Sequence, residues 1–198
     1  MAASAIPVAR FELPRHSVLV RCTHWINAVS FFGLLVSGVA ILLAHPRLYW
    51  GEVGNLDTPS LLDLPLPFIL TGQSGWGRYL HFLSAWFCVL NGVVYVASGV
   101  VARHFNSDLP YNALQRRTYF TVIFFLFPLM IWTGFAMSPA ITSVFPGIVT
   151  VFGGTQSART IHFFAGAALV LFLIGHVTMV SLAGFRQQVR AMITGSKI

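Results

Sequence analysis

Seven histidines stand in this chain of 198 residues, and four of them, His24, His81, His162 and His176, fall inside long apolar runs. An ionisable side chain at bilayer depth is costly, so it is expected to pair with another group or to serve a function. None of these runs holds an Asp or Glu, so the usual partners are absent. His162 and His176 are fourteen residues apart. On one helix that puts them about 40° apart in phase and about 21 Å apart along the axis. Imidazoles so spaced offer one ligand near each side of a membrane. A single zinc ion is excluded, because tetrahedral zinc needs every ligand within about 2.1 Å of one point. A cation or proton pathway would carry Asp or Glu along its length. Histidines that merely hydrogen-bond within a packed interior are the plain alternative.

The elements that must position these histidines are legible in the composition. Apolar residues make up 56% of the chain, aromatic residues 14% and charged residues 9%, far too little charge to cover a soluble surface. Four stretches reach the roughly 20 apolar residues that cross a hydrocarbon core. They run from about residue 18 to 44, 78 to 103, 118 to 137 and 158 to 184. The expected fold is all-α, an integral membrane four-helix bundle forming one domain over 1–198. Span one ends at His45-Pro46, since proline disfavours helix at the residue before it. Pro128 predicts a kink in span three. The connections 46–77 and 138–157 read as loops, the first long enough to suggest a function.

Positive charge marks the cytoplasmic side. Arg10, Arg15, Arg21, Arg103, Arg116, Arg117, Arg186, Arg190 and Lys197 fall on one side, and only Arg47, Arg78 and Arg159 on the other. Both termini are therefore expected in the cytoplasm of a bacterial inner membrane, with the two longer loops in the periplasm. The net charge of +7 lies at span ends rather than on one amphipathic face, so nucleic acid is not an expected partner, while membrane lipid is. No short apolar leader with a cleavage site is read at the N-terminus.

With this topology His24 and His176 share the cytoplasmic level, and His81 and His162 the periplasmic one. Two depth-matched pairs suit two six-coordinate haems stacked across the bilayer. His45 competes with His81 for the upper level but sits at the helix break before Pro46. Arg78 and Arg159 above, and Arg21 and Arg103 below, are candidates to pair with haem propionates. Gly33, Ser37, Gly38, Gly92, Gly99, Gly134, Gly166 and Gly175 would let helices or a flat macrocycle approach the backbone closely. Cys22 and Cys88 lack any metal or haem-attachment spacing and read as small buried residues.

The residues resemble the di-haem cytochrome b subunits that anchor nickel-iron hydrogenases, formate dehydrogenases and thiosulfate-reductase-type molybdoenzymes, grouped with bacterial cytochrome b561. The resemblance is carried by His24-Trp25, Tyr111 to Gln115, Thr133 to Pro139, the His162 to His176 pair and Met192-Ile193-Thr194-Gly195. It implies two haem b groups, His24 with His176 and His81 with His162. It further implies electron exchange between a periplasmic redox enzyme, of molybdopterin or hydrogenase type, and ubiquinone or menaquinone near the lower haem. The hinge supplies His104, Asn106, Asp108, Tyr111, Asn112 and Gln115 as candidate quinone contacts, though residues of these types also cap helices and make turns. Trp50, Phe68, Trp76 and Phe145 in the two longer loops are candidate docking anchors. The rival readings are a stand-alone superoxide-quinone or ferric reductase, and a non-redox assembly anchor.

Overall fold

A hydroxyl opens the first span. In the computed structural model, which describes residues 17–55, 57–65, 73–101 and 113–195, α1 (Val18–Ala44) begins where Ser17 Oγ accepts the Val20 N–H at 3.3 Å. That satisfies one of the N–H groups a helix start leaves open. α1 stops at His45, whose φ of −141° is the extended geometry imposed by the following proline. β1 (Arg47–Leu48) and β2 (Leu62–Asp63) then pair antiparallel, with Arg47 Nε 3.0 Å from Asp63 Oδ2 on an exposed face. α2 (Gln73–Val101) starts earlier than the apolar run alone suggested.

The third span is built in three pieces. α3 (Ala113–Thr121) leads into a π-helical turn, Val122–Leu126, and then α4 (Phe127–Ala136). Pro128 has no N–H, and its ring pushes against the carbonyl four residues before it. The chain absorbs this by widening the preceding turn, where the Phe127 N–H reaches the Val122 carbonyl, five residues back. The predicted kink is thus a π-turn one step upstream of the proline.

Two short helices, α5 (Pro139–Val144) and α6 (Gly147–Val151), occupy the second connection, where the sequence suggested only loop. Pro139 stands in the first turn of α5, where its missing N–H costs nothing. α7 (Thr155–Leu182) is the fourth span, and α8 (Phe185–Thr194) follows a left-handed Gly184. Four helices are long and apolar enough to cross a membrane, so the protein is a membrane helical bundle.

Packing is concentrated within two helix pairs, α1 along α2 and α4 along α7. Small side chains permit it. A Cβ on Gly33 would collide with the Ser84 hydroxyl, and one on Gly77 would lie 3.2 Å from Ala40. Buried Asn91 ties α2 to α1, donating to the Thr23 carbonyl at 2.7 Å and Asn27 Oδ1 at 2.8 Å. Among the described span residues, buried positions are mostly Ala, Ser and Thr, with Val122 and Leu169 the larger apolar ones. Bulky side chains such as Phe32, Phe87, Trp132 and Leu171 point outward, as lipid requires. A water-soluble bundle would fill its interior with Leu, Ile and Phe. Between its two helix pairs this bundle makes few direct contacts.

Candidate cofactor site

Histidines face each other between those helix pairs at two levels. The His24 ring on α1 and the His176 ring on α7 have centroids 6.3 Å apart, and His81 on α2 lies 6.1 Å from His162 on α7. Two imidazoles bound to opposite sides of one metal ion would have centroids about 6.2 Å apart, from metal–nitrogen bonds of about 2.0 Å and a ring radius of about 1.1 Å. Among the described residues no group of three or more His, Cys, Asp or Glu gathers around a point. Each pair can therefore supply two axial ligands, with any others coming from the cofactor itself. His162 Nε2 is buried with no hydrogen-bond partner in the protein. Buried polar atoms are rarely left so, and a metal would satisfy them.

The two levels differ in their walls. At the upper one the His81 Nδ1 lies 3.0 Å from Ser37 Oγ, and the His162 Nδ1 lies 2.8 Å from Thr133 Oγ1. Gly38 and Gly134 stand beside the same rings, so that a Cβ on either would lie 3.8 Å from the Cε1 of its histidine. The lower level is walled by aromatic rings. Phe172 stacks on His176 at 5.9 Å, Tyr119 meets its edge at 6.4 Å, and Trp25 meets His24 at 5.4 Å. Beside Phe172 a cavity of about 350 Å³ opens between the π-turn and α7, lined by Arg117, Thr118, Thr121, Val122, Leu126 and Ala168.

Loop contacts set the height of α7. The Gly51 carbonyl accepts the N–H groups of Gln156 at 3.0 Å and Ser157 at 3.3 Å, while its own N–H donates to Ser157 Oγ at 2.7 Å. Thr160 Oγ1 donates to the Tyr49 carbonyl at 2.6 Å, and Arg159 to that of His45. The chain leaving α1 thereby caps the helix that carries His162, two residues beyond Thr160. Gly153 and Gly154 make this possible, with φ of +72° and +127°, and a side chain on Gly154 would strike the Gly51 backbone.

At the other end α8 folds back beneath α1. Arg21 Nη1 donates to the Ile193 carbonyl at 2.7 Å and Trp25 Nε1 to that of Met192 at 3.2 Å, satisfying carbonyls that a helix end leaves open. Gly195, with φ of +85°, closes α8 with its N–H on the Ala191 carbonyl.

The match to the family model for prokaryotic cytochrome b561 extends over residues 15–195. The chain belongs to the prokaryotic cytochrome b561 family. It is thus a multi-pass membrane protein of a haem b-binding electron-transfer family. It is also 28% identical over 193 residues, covering 84% of this chain and 90% of the relative, to a protein of Azospira oryzae whose name assigns it, provisionally, as the YedZ1 subunit of a protein-methionine-sulfoxide reductase. No solved structure matches the chain.

Arg159 and Arg78 lie within electrostatic range of His45, at the α1 end of the upper level. Burial first, then the positive charges of Arg159 and Arg78, holds the His45 imidazole below its ordinary range, so it is neutral at pH 7. His45 belongs to neither ring pair and serves as the C-cap of α1. Arg21 is committed to the α8 carbonyl. Arg103, His104, Asn106, Asp108, Tyr111 and Asn112 lie outside the described residues, and Gln115 stands in α3. Sequence reasoning weighed Ser37 only as a small residue and gave Thr133 no hydrogen-bonding role. The available signal was a hydroxyl residue immediately before glycine, which occurs in three spans, at Ser37-Gly38, Ser98-Gly99 and Thr133-Gly134, and so does not single out the pair.

Proposed function

We propose that the chain carries electrons across the membrane through two haem b groups, one held by His24 and His176 and the other by His81 and His162. The single observation that carries this reading is the pair of ring separations, 6.3 and 6.1 Å, each suited to one metal between two imidazoles. Bound haem b supplies a one-electron carrier at each level. The protein supplies axial nitrogens, an apolar enclosure, and a vertical spacing set by the His162–His176 helix. Arg78 and Arg159 are the candidates to meet propionates above. Arg21 and Arg103 are the lower candidates, with Arg21 already bound to α8.

In this reading both termini face the cytoplasm. Quinone, either ubiquinone or menaquinone, exchanges electrons at the lower level, and a periplasmic redox enzyme at the upper one. The cavity beside Phe172 supports the quinone assignment. It is apolar, large enough for a quinone ring, edged by Thr118, Thr121 and Arg117, and separated from His176 by one stacked ring. It begins just after the hinge that holds the polar candidates. The partner is expected to be a molybdopterin-type reductase, and the relative's name points to protein methionine sulfoxide as a substrate for that partner. A stand-alone reductase remains the second class of function, distinguished by activity without any partner.

A pyridine haemochrome assay on the pure protein should give two haems per chain. His81→Ala and His162→Ala should each remove the same haem, and His24→Ala and His176→Ala the other, as read by potentiometric titration. One haem in the wild type, or a His45→Ala variant that behaves like His162→Ala while His81→Ala keeps both, would defeat the assignment.

A further inference from the structure

We propose that Ser37 and Thr133 are positioning residues of the upper centre, each hydroxyl accepting the Nδ1–H of one axial histidine and so presenting its Nε2 to the metal. This rests on the pairing of His81 with His162 around one haem. The proton count decides the direction of each bond. Ser37 Oγ lies 2.6 Å from the Gly33 carbonyl, and Thr133 Oγ1 lies 2.7 Å from the Leu129 carbonyl, in both cases four residues back on the same helix. The Leu34 and Met130 carbonyls, three residues back, lie 3.1 Å from the same oxygens; a carbonyl cannot donate, so the single hydroxyl proton goes to a carbonyl of its own helix. The hydroxyl then has only lone pairs left for the imidazole, and the ring nitrogen 3.0 or 2.8 Å away must carry the hydrogen.

With Nδ1 protonated in a neutral ring, Nε2 holds the lone pair a metal takes. Nε2 is also the atom of His162 that is buried with no protein partner.

The device occurs twice, on two different helices that share a hydroxyl-Gly-x-Ala pattern. Ser37-Gly38 on α1 serves the histidine of α2, and Thr133-Gly134 on α4 serves that of α7. In each, carbonyls three and four residues before the hydroxyl accept its proton, and the glycine after it leaves room at the ring edge. Both hydroxyl residues are wholly buried, at 0% exposure, so water cannot replace them as acceptors. The lower level has nothing equivalent on α7, where His176 Nδ1 is buried with no protein partner.

An imidazole that donates to an acceptor is a stronger base toward its metal, and the higher oxidation state gains more from that than the lower one. The hydroxyls should therefore lower the potential of the upper haem alone. Ser37→Ala and Thr133→Val each remove one acceptor. Both variants are expected to keep two haems and to show the upper potential, identified as the one missing in His81→Ala, shifted upward with the lower unchanged. Thr133→Ser and Ser37→Thr should restore the wild-type value. An unmoved upper potential, or an equal shift in Thr133→Ser and Thr133→Val, would overturn the proposal. If Thr133→Val fails to hold the upper haem, Thr133→Ser decides: retention at the wild-type potential supports the role, and loss in both overturns it. Failure of the pairing itself would appear separately, as wild-type protein with fewer than two haems or His81→Ala protein that retains both.

Discussion

Two guanidinium groups crowd the α1 end of the upper level without an acid to balance them. Among the described residues the sole ion pair is Arg47 with Asp63, so Arg78 and Arg159 have no carboxylate partner. Arg159 is fixed by the His45 carbonyl, and the neutral His45 imidazole adds no charge. A haem propionate is the anion such a cluster would accept. The same charges should favour the reduced haem, opposite in sign to the Ser37 and Thr133 hydroxyls. In a medium of effective dielectric about 20, one unit charge near a one-electron couple shifts its potential by tens of millivolts. Arg159→Gln is therefore expected to lower the upper potential by tens of millivolts while the lower one holds. An unmoved upper potential would place the guanidinium away from the haem. Which residues matter was legible here in unequal measure. The histidines declared themselves because apolar spans without carboxylates leave an imidazole little else to do. The hydroxyls did not, since Ser and Thr commonly bond their own helix, and whether they also meet a neighbour's ring depends on interhelical rotation.

At the scale of elements, the connection after α1 acts as the cap of α7 rather than as a tether. Gly154 is the sensitive point. Its φ of +127° lies where side-chain-bearing residues rarely go, and a methyl group there would meet the Gly51 backbone. Such strain costs on the order of 1–3 kcal/mol even before the clash is counted. Gly154→Ala should lower the unfolding temperature and reduce upper haem occupancy, because His162 lies two turns below the cap. Gly147→Ala provides the control, since a Cβ there meets nothing within 4 Å. Equal stability and haem content in the two variants would show that the cap does not set the height of His162. These contacts were not readable in advance, because a two-residue strand pair has no period and Gly153-Gly154 signals only a turn. α8 was missed for a related reason. Its ten residues, with Arg186 and Arg190 among them, are too short and polar to register as a span. Its docking depends on Arg21 and Trp25, more than 160 residues earlier. Pro128 did announce a disturbance in the third span, but not that it would take the form of a π-turn upstream of the proline.

For the whole molecule, the arrangement of levels was the most legible feature, since helix rise and phase alone put His162 and His176 on one face at two depths. The surface is harder to read, because exposed apolar residues serve lipid over most of the bundle and mark a docking face only where they leave the hydrocarbon. The loop side offers such a place. Trp50 is 60% exposed on a segment fastened to α7, and Phe145 is 66% exposed between α5 and α6, with Val144 and Val151 nearby. Phe68, the remaining aromatic of the first loop, lies outside the described residues, and Trp76 stands at the start of α2. Rigid aromatic side chains on a fixed platform suit protein contact, where a few such anchors carry most of the binding energy. A belt of aromatics in lipid headgroups is the competing account. A photo-crosslinker at position 50 or 145 is expected to capture a protein that carries its own redox cofactor and reoxidises the reduced haems. The Trp50→Ala and Phe145→Ala double variant should slow that reoxidation about tenfold or more, the effect of losing one or two anchors, with haem content and both potentials unchanged. Quenching of Trp50 fluorescence by brominated lipid, together with unaltered electron delivery in the double variant, would assign these residues to the membrane and move the docking face elsewhere.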